Sequence, residues 1–160
     1  MTELVFMRHG HALSSQEAGV AADAERPLSP RGEREALETA RHLSAAGFAP
    51  DRIISSPFAR AVRTAEIAAG VFPSAARETE GVISDGPAQA LLDMALRLRA
   101  GAGRVLVVGH MPLIGAVAAH LLGDEPFHLS PAGFVRLKSD AAGPAALVEY
   151  YSPPPVKDGR

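Results

Sequence analysis

The chain has 160 residues and a formal charge of −2, from 16 Lys and Arg against 18 Asp and Glu. That length predicts one domain, and 47% apolar with 21% charged residues excludes disorder as the main state. Near-neutrality excludes nucleic acid as the default partner. The absence of cysteine excludes disulfides, thiolate nucleophiles and thiolate metal sites.

A cysteine-free chain fits a reducing compartment, so a cytoplasmic location is expected. The apolar stretch before Arg8 is short and broken by Glu3, unlike a signal peptide. The apolar run Met111–Leu122 contains His120 and is too short to cross a bilayer, so no membrane is expected as partner.

Glu3–Met7 is a short apolar run that predicts a buried strand. Residues 11–28 are small and polar, a long loop. Ser29-Pro30 supplies an N-cap followed by proline at the first helical position, and Ala36, Leu37, Ala40 and Leu43 keep helical spacing up to Gly47. Arg52–Ser55 predicts the second strand, and Ser56-Pro57 should open a helix by the same N-cap logic. Residues 77–83 can hold a short strand. Pro87 starts a third helix that Gly101 closes.

Arg104–Val108 is apolar on both faces, as a central parallel strand is. Pro112 then opens a fourth helix ending near Gly123. Phe134–Lys138 and Ala146–Tyr151 predict a closing hairpin across the turn at 139–144. Residues 1–151 are expected to form one domain and residues 152–160 a Pro-rich flexible tail. Alternating strands and helices predict an α/β/α sandwich with a mostly parallel sheet, whose ligands bind beyond the strands' carboxyl ends.

Arg8 and His9 follow the first strand, Arg60 follows the second, and His110 follows the central one. One histidine at a strand end is usually an ordinary hydrogen-bonded side chain. Two arginines and two histidines at three converging strand ends make a cationic pocket suited to a phosphate dianion. An imidazole with a free nitrogen can attack phosphorus, and a backbone carbonyl on its other nitrogen would fix the tautomer. Arg8, Arg60 and a protonated His110 would stabilise the transferring group.

These residues resemble a family. Met7-Arg8-His9-Gly10 is similar to the Arg-His-Gly signature of the histidine phosphatase superfamily, which includes the phosphoglycerate mutases. Leu28-Ser29-Pro30-Arg31-Gly32 resembles its helix-opening block, Ser56-Pro57 through Ala65 its Ser-Pro-x-x-Arg-Ala-x-x-Thr-Ala block, and Gly109–Pro112 its second-histidine block. Ser-Pro-Phe, His-Met-Pro and the short length most resemble the SixA-type phosphohistidine phosphatases. The resemblance implies a phosphoglycerate mutase-like fold, no cofactor and no metal. It also implies His9 as nucleophile, Arg8 and Arg60 as phosphate ligands, and His110 as a second phosphate-binding histidine.

A general acid is not assigned by pattern; Glu78, Glu80 and Asp85 are the candidates. An acid-poor site favours an activated phosphate such as phosphohistidine over a sugar phosphate, because imidazole leaves more easily than an alkoxide. His11, Arg31 and Arg63 have the bland reading of local structure and helix surface, and His42, His120 and His128 show no site spacing. Little lid-forming sequence lies between Thr64 and His110. An open pocket suits a protein-borne phosphate, so the expected partner is a phosphorylated protein, such as a histidine-containing phosphotransfer domain, or else a small phosphorylated substrate. A small-metabolite phosphatase or mutase is the alternative, and a non-catalytic phosphate-binding module the third.

Overall fold

The computed structural model describes residues 1–101, 103–140 and 143–154. Six strands form one sheet: β1 (Thr2–Arg8), β2 (Arg52–Ser55), β3 (Ala76–Thr79), β4 (Gly103–Gly109), β5 (Phe134–Ser139) and β6 (Ala146–Tyr151). Their order is β3-β2-β4-β1-β5-β6. β1–β4, β2–β4 and β2–β3 pair in parallel, and β5 and β6 add an antiparallel hairpin on the far side of β1. Residues 141 and 142 of the hairpin turn lie outside the described residues, as do residues 155–160 of the expected tail.

Successive strand residues point to opposite faces, and every central strand here is apolar on both. Leu4 and Phe6 of β1 join Ile54, Val105 and Val107 in a core that includes Leu91 and Ile114. Val5 and Met7 join Ile53, Leu106 and Val108 in a second core with Ala40, Leu43, Ala61 and Ala65. Helices α2 (Pro30–Ala45) and α3 (Ala59–Val71) therefore cover one face, and α4 (Ala88–Ala100) and α5 (Leu113–Leu122) the other.

Three local expectations are corrected. The helix expected to open at Ser56-Pro57 begins at Ala59, with Phe58 as N-cap and no side-chain cap. The Ser56 hydroxyl instead accepts from the Phe58 N–H and reaches His110. Residues 11–28 are not a plain loop. They contain α1 (Ser15–Ala18), opened by a Ser14/Glu17 capping box and closed at Gly19, and a 3-10 turn at Asp23–Glu25. A helix this short buries nothing and leaves no apolar period to read. Pro87 and Pro112 occupy N-caps rather than first helical positions.

Three strand ends meet in register. Past β1, the His9 N–H donates to Gly109 O at 3.1 Å; past β2, the Ser56 N–H donates to Val108 O at 3.1 Å. The chain after His9 then packs directly on the start of α2. A Cβ on Gly32 would lie 2.0 Å from His11 O, and one on Gly10 would lie 2.6 Å from Gly32 O. Both obstacles are backbone, so no rotamer change relieves them. Gly32→Ala is expected to cost about 3 kcal/mol or more, in the upper range for an overpacked buried position. Urea unfolding measures it; a wild-type midpoint would show that the two segments are not in contact.

Candidate active site

β1 ends on Arg8, and His9 is the first residue past it. His9 is 9% exposed. Its Nδ1 lies 2.7 Å from Gly10 O. A carbonyl only accepts, so the proton sits on Nδ1 and Nε2 keeps its lone pair. The Gly10 peptide is itself fixed, because its N–H donates to Thr64 Oγ1 at 3.1 Å while Thr64 donates to Arg60 O at 2.8 Å. The threonine of the Thr-Ala block thus holds the peptide that holds the imidazole.

Arg60 stands at the second residue of α3 and is 7% exposed. Its Nε lies 3.3 Å from His9 Nε2. Arg8 Nη1 donates to Leu129 O at 2.9 Å. His110 follows β4, with its ring centroid 5.1 Å from that of His9. His110 Nε2 is 2.7 Å from Ser56 Oγ, and Phe58 packs edge-on against the same ring at 5.0 Å. Arg8 Nε and His110 Nδ1 are buried without a protein hydrogen-bond partner among the described residues. The four residues expected to converge are together, at the carboxyl edge of β1, β2 and β4.

Burial first, and then the positive charges of His110, Arg60 and Arg8, push His9 down to about 3, against the pull of the Gly10 carbonyl. Burial and then Arg60 push His110 down to about 4, opposed by Asp23 and Asp85. The expectation of a protonated His110 is therefore corrected for the free site. Two guanidiniums in a desolvated pocket leave both imidazoles neutral at pH 7.

The sign of the linkage follows. The unfolded chain protonates these histidines near their ordinary value of 6.5, while the folded one resists down to about 4 and about 3. The unfolded state binds more protons in that window, so stability falls as pH falls from 6.5 towards 4. The melting temperature should drop there, and neither imidazole should titrate near 6.5 by NMR. Titration of both between pH 6 and 7 would contradict the buried, cation-flanked geometry.

The bland readings hold for several residues. His11 Nδ1 lies 2.6 Å from Ser29 Oγ, the N-cap of α2, so it braces a helix start. Arg31 pairs with Glu35 at 3.2 Å, and Arg63 pairs with Glu33 at 2.7 Å and Glu66 at 3.5 Å, so neither extends a positive rim. Glu78 is bound to Arg52 on the exposed edge of the sheet. Glu80 borders a cleft with Arg52, Met94 and Arg97. The Asp85 charge works to raise the His110 pKa, against burial and Arg60. Asp23 was not singled out in the sequence, yet its carboxylate lies 3.0 Å from Arg60 Nη2. A lone Asp in a polar loop carries no local signal.

Residues 4–83 match the histidine phosphatase superfamily, branch 1. The chain belongs to that superfamily. It is 30% identical over 161 residues to the phosphohistidine phosphatase SixA homolog of Haemophilus influenzae, covering 94% of this chain and 96% of that one. It is 28% identical over 155 residues to the phosphohistidine phosphatase SixA of Escherichia coli K12, covering 94% of each. The solved structure of the protein histidine phosphatase SixA complexed with tungstate superposes with a TM-score of 0.84 at 26% identity, over 94% of this chain and 97% of that one. The fold is phosphoglycerate mutase-like, and this superfamily member resembles SixA in both sequence and structure. No described helix is long and apolar enough to cross a membrane.

Proposed function

We propose that this chain is a metal-independent phosphatase that takes a phosphoryl group onto His9 Nε2 and hydrolyses it, with protein phosphohistidine as substrate. Residues 1–151 serve as one catalytic domain, and the cytoplasm is the expected compartment. The observation that carries the reading is the His9 imidazole: buried, neutral, with its tautomer set by Gly10 O at 2.7 Å and its Nε2 lone pair accepting from Arg60 Nε at 3.3 Å, a donor that a phosphoryl oxygen can take over.

In the first step the Nε2 lone pair forms a bond to phosphorus as the bond to the leaving group breaks. Arg60, Arg8 Nε and His110 Nδ1 are placed to donate to the phosphoryl oxygens, where charge develops. An imidazole whose other nitrogen carries a proton departs neutral and needs no acid. In the second step water attacks phosphorus, the P–Nε2 bond breaks, orthophosphate forms and His9 regains its lone pair. Of the three acid candidates we assign Asp85, whose charge acts on His110, to hand a proton to a poorer leaving group or take one from water.

Arg31 and Arg63 are paired with carboxylates rather than held open for a second anionic substituent. That weighs against a mutase acting on a small bis-anionic metabolite. Full retention of Arg8, His9, Arg60 and His110 weighs against a mere binding module. The deciding experiment offers a phosphorylated histidine-containing phosphotransfer domain to the protein in excess chelator. Loss of phosphate, through an acid-labile phosphoenzyme on His9, is the expected result. Chelator-sensitive turnover, or turnover of phosphoserine at a comparable rate, would overturn it.

A further inference from the structure

Arg60 has five N–H donors arranged on two edges. The distal edge, Nη1 with Nη2, is filled by one residue: Nη1 donates to the main-chain carbonyl of Asp23 at 2.8 Å, and Nη2 to its Oδ2 at 3.0 Å. The lateral edge, Nε with the second Nη2 hydrogen, is the one turned towards His9 Nε2. The face of the guanidinium lies against Phe58, whose ring centroid is 5.0 Å from Cζ. A side chain with this many rotatable bonds is thus held on its outer edge and one face.

Asp23 is held in turn. Its Oδ1 accepts from Arg26 Nη1 at 3.0 Å, and Arg26 Nε donates to Leu13 O at 2.8 Å. The base of the segment is closed by a bridge between Ala12 and Leu28 and by the Leu13 N–H on Pro27 O at 3.0 Å. The chain Leu13–Arg26–Asp23–Arg60 therefore runs unbroken from the neck of the segment to the candidate nucleophile. Little lid-forming sequence lies in residues 65–109, but this flank is met by Asp23 of the segment 13–26.

We propose that Asp23 is a positioning residue: it clamps the distal edge of Arg60 so that the lateral edge, Nε and Nη2, is presented to a phosphoryl group on His9. This rests on the phosphatase reading above. The clamp has two separable parts. As an acceptor, Asp23 orients the fork. As an anion beside a phosphate pocket, it weakens ground-state binding of a dianion, so its geometry favours the transferring group over the bound product.

Three variants and two readouts test it. Asp23→Ala removes the side-chain acceptor, Asp23→Asn keeps an acceptor oxygen without charge, and Arg26→Ala loosens Asp23 without touching Arg60 or His9. Turnover is expected to fall about 10-fold in Asp23→Ala, since small misplacements of a catalytic group cost up to ~100-fold. Asp23→Asn should stay within about 3-fold of wild type and bind orthophosphate about 3-fold more tightly by calorimetry, the scale of a partly exposed charge interaction. Arg26→Ala should lie between wild type and Asp23→Ala.

The second readout needs no substrate. The Arg60 Nε–H resonance should be a single slowly exchanging line in wild type and Asp23→Asn, and be broadened in Asp23→Ala. Equal loss of turnover in Asp23→Asn and Asp23→Ala would overturn the clamp, as would wild-type turnover and an unchanged Nε–H line in Asp23→Ala. Were the wild type inactive on phosphohistidine, the phosphatase reading would fall, while the resonance and the orthophosphate titration would still decide the role of Asp23.

Discussion

Replacing His9 by alanine is expected to lower turnover by at least about 10⁴-fold, the scale for removing a nucleophile from a site that keeps its other groups. No second side chain can take over. The sequence contains no cysteine, and His110 has its Nε2 engaged by Ser56, which leaves Nδ1 as the proton-bearing donor rather than a nucleophile. Arg8, Arg60 and His110 remain, so orthophosphate should still bind within about tenfold of wild type if His9 contributes no more than an ordinary hydrogen bond to the ground state. The measurement is rapid quench after mixing with phosphorylated protein. Wild type should show a burst of acid-labile, alkali-stable phosphate on its own chain, resolved by size from the substrate protein, and His9→Ala none. A burst of the same size in His9→Ala would place the phosphoryl group elsewhere and remove the covalent mechanism.

The parts of this site that could be read in the sequence are those fixed by strand ends. A doubly apolar run such as Val105–Val108 has to be a central strand, and the residue after it has to emerge at a sheet edge. That logic places His9 and His110, and Ser29-Pro30 and its helix likewise follow from local capping chemistry. The Ser56 error has the same origin. Its hydroxyl has the local option of capping a helix, but a histidine from another strand end offers a tertiary partner at 2.7 Å, and local pattern cannot weigh the two. Asp23 was invisible for a related reason. Its importance comes from a guanidinium 37 residues away in sequence, and the turn that carries it is too short to have a period. The protonation of His110 is not legible locally, because an ordinary pKa presumes solvent, whereas burial beside Arg60 is a property of the assembled edge.

Arg60→Lys should be nearly as damaging as removal of the side chain, with turnover down about 100- to 1000-fold, the range for loss of one preorganised oxyanion donor. Lysine keeps the charge but is a single rotating point donor. It cannot contact the Asp23 carbonyl, the Asp23 carboxylate and the His9 side of the pocket at once, as Nη1, Nη2 and Nε do. Folding should change little by comparison. Asp23 has 59% of its side-chain surface in solvent and can rehydrate, and it keeps Arg26 at 3.0 Å. Arg60→Gln separates charge from geometry. Arg60 is the largest charge effect holding His110 down, after burial. Removing the cation should therefore raise the His110 pKa above about 4, whereas Arg60→Lys should leave it near its wild-type position. A histidine NMR titration reads this directly. If both variants lose turnover and only Arg60→Gln moves His110, the fork rather than the charge accounts for the loss. If Arg60→Lys turns over at the wild-type rate, bidentate geometry at Arg60 has no part in the chemistry, and the Asp23 clamp has nothing to position.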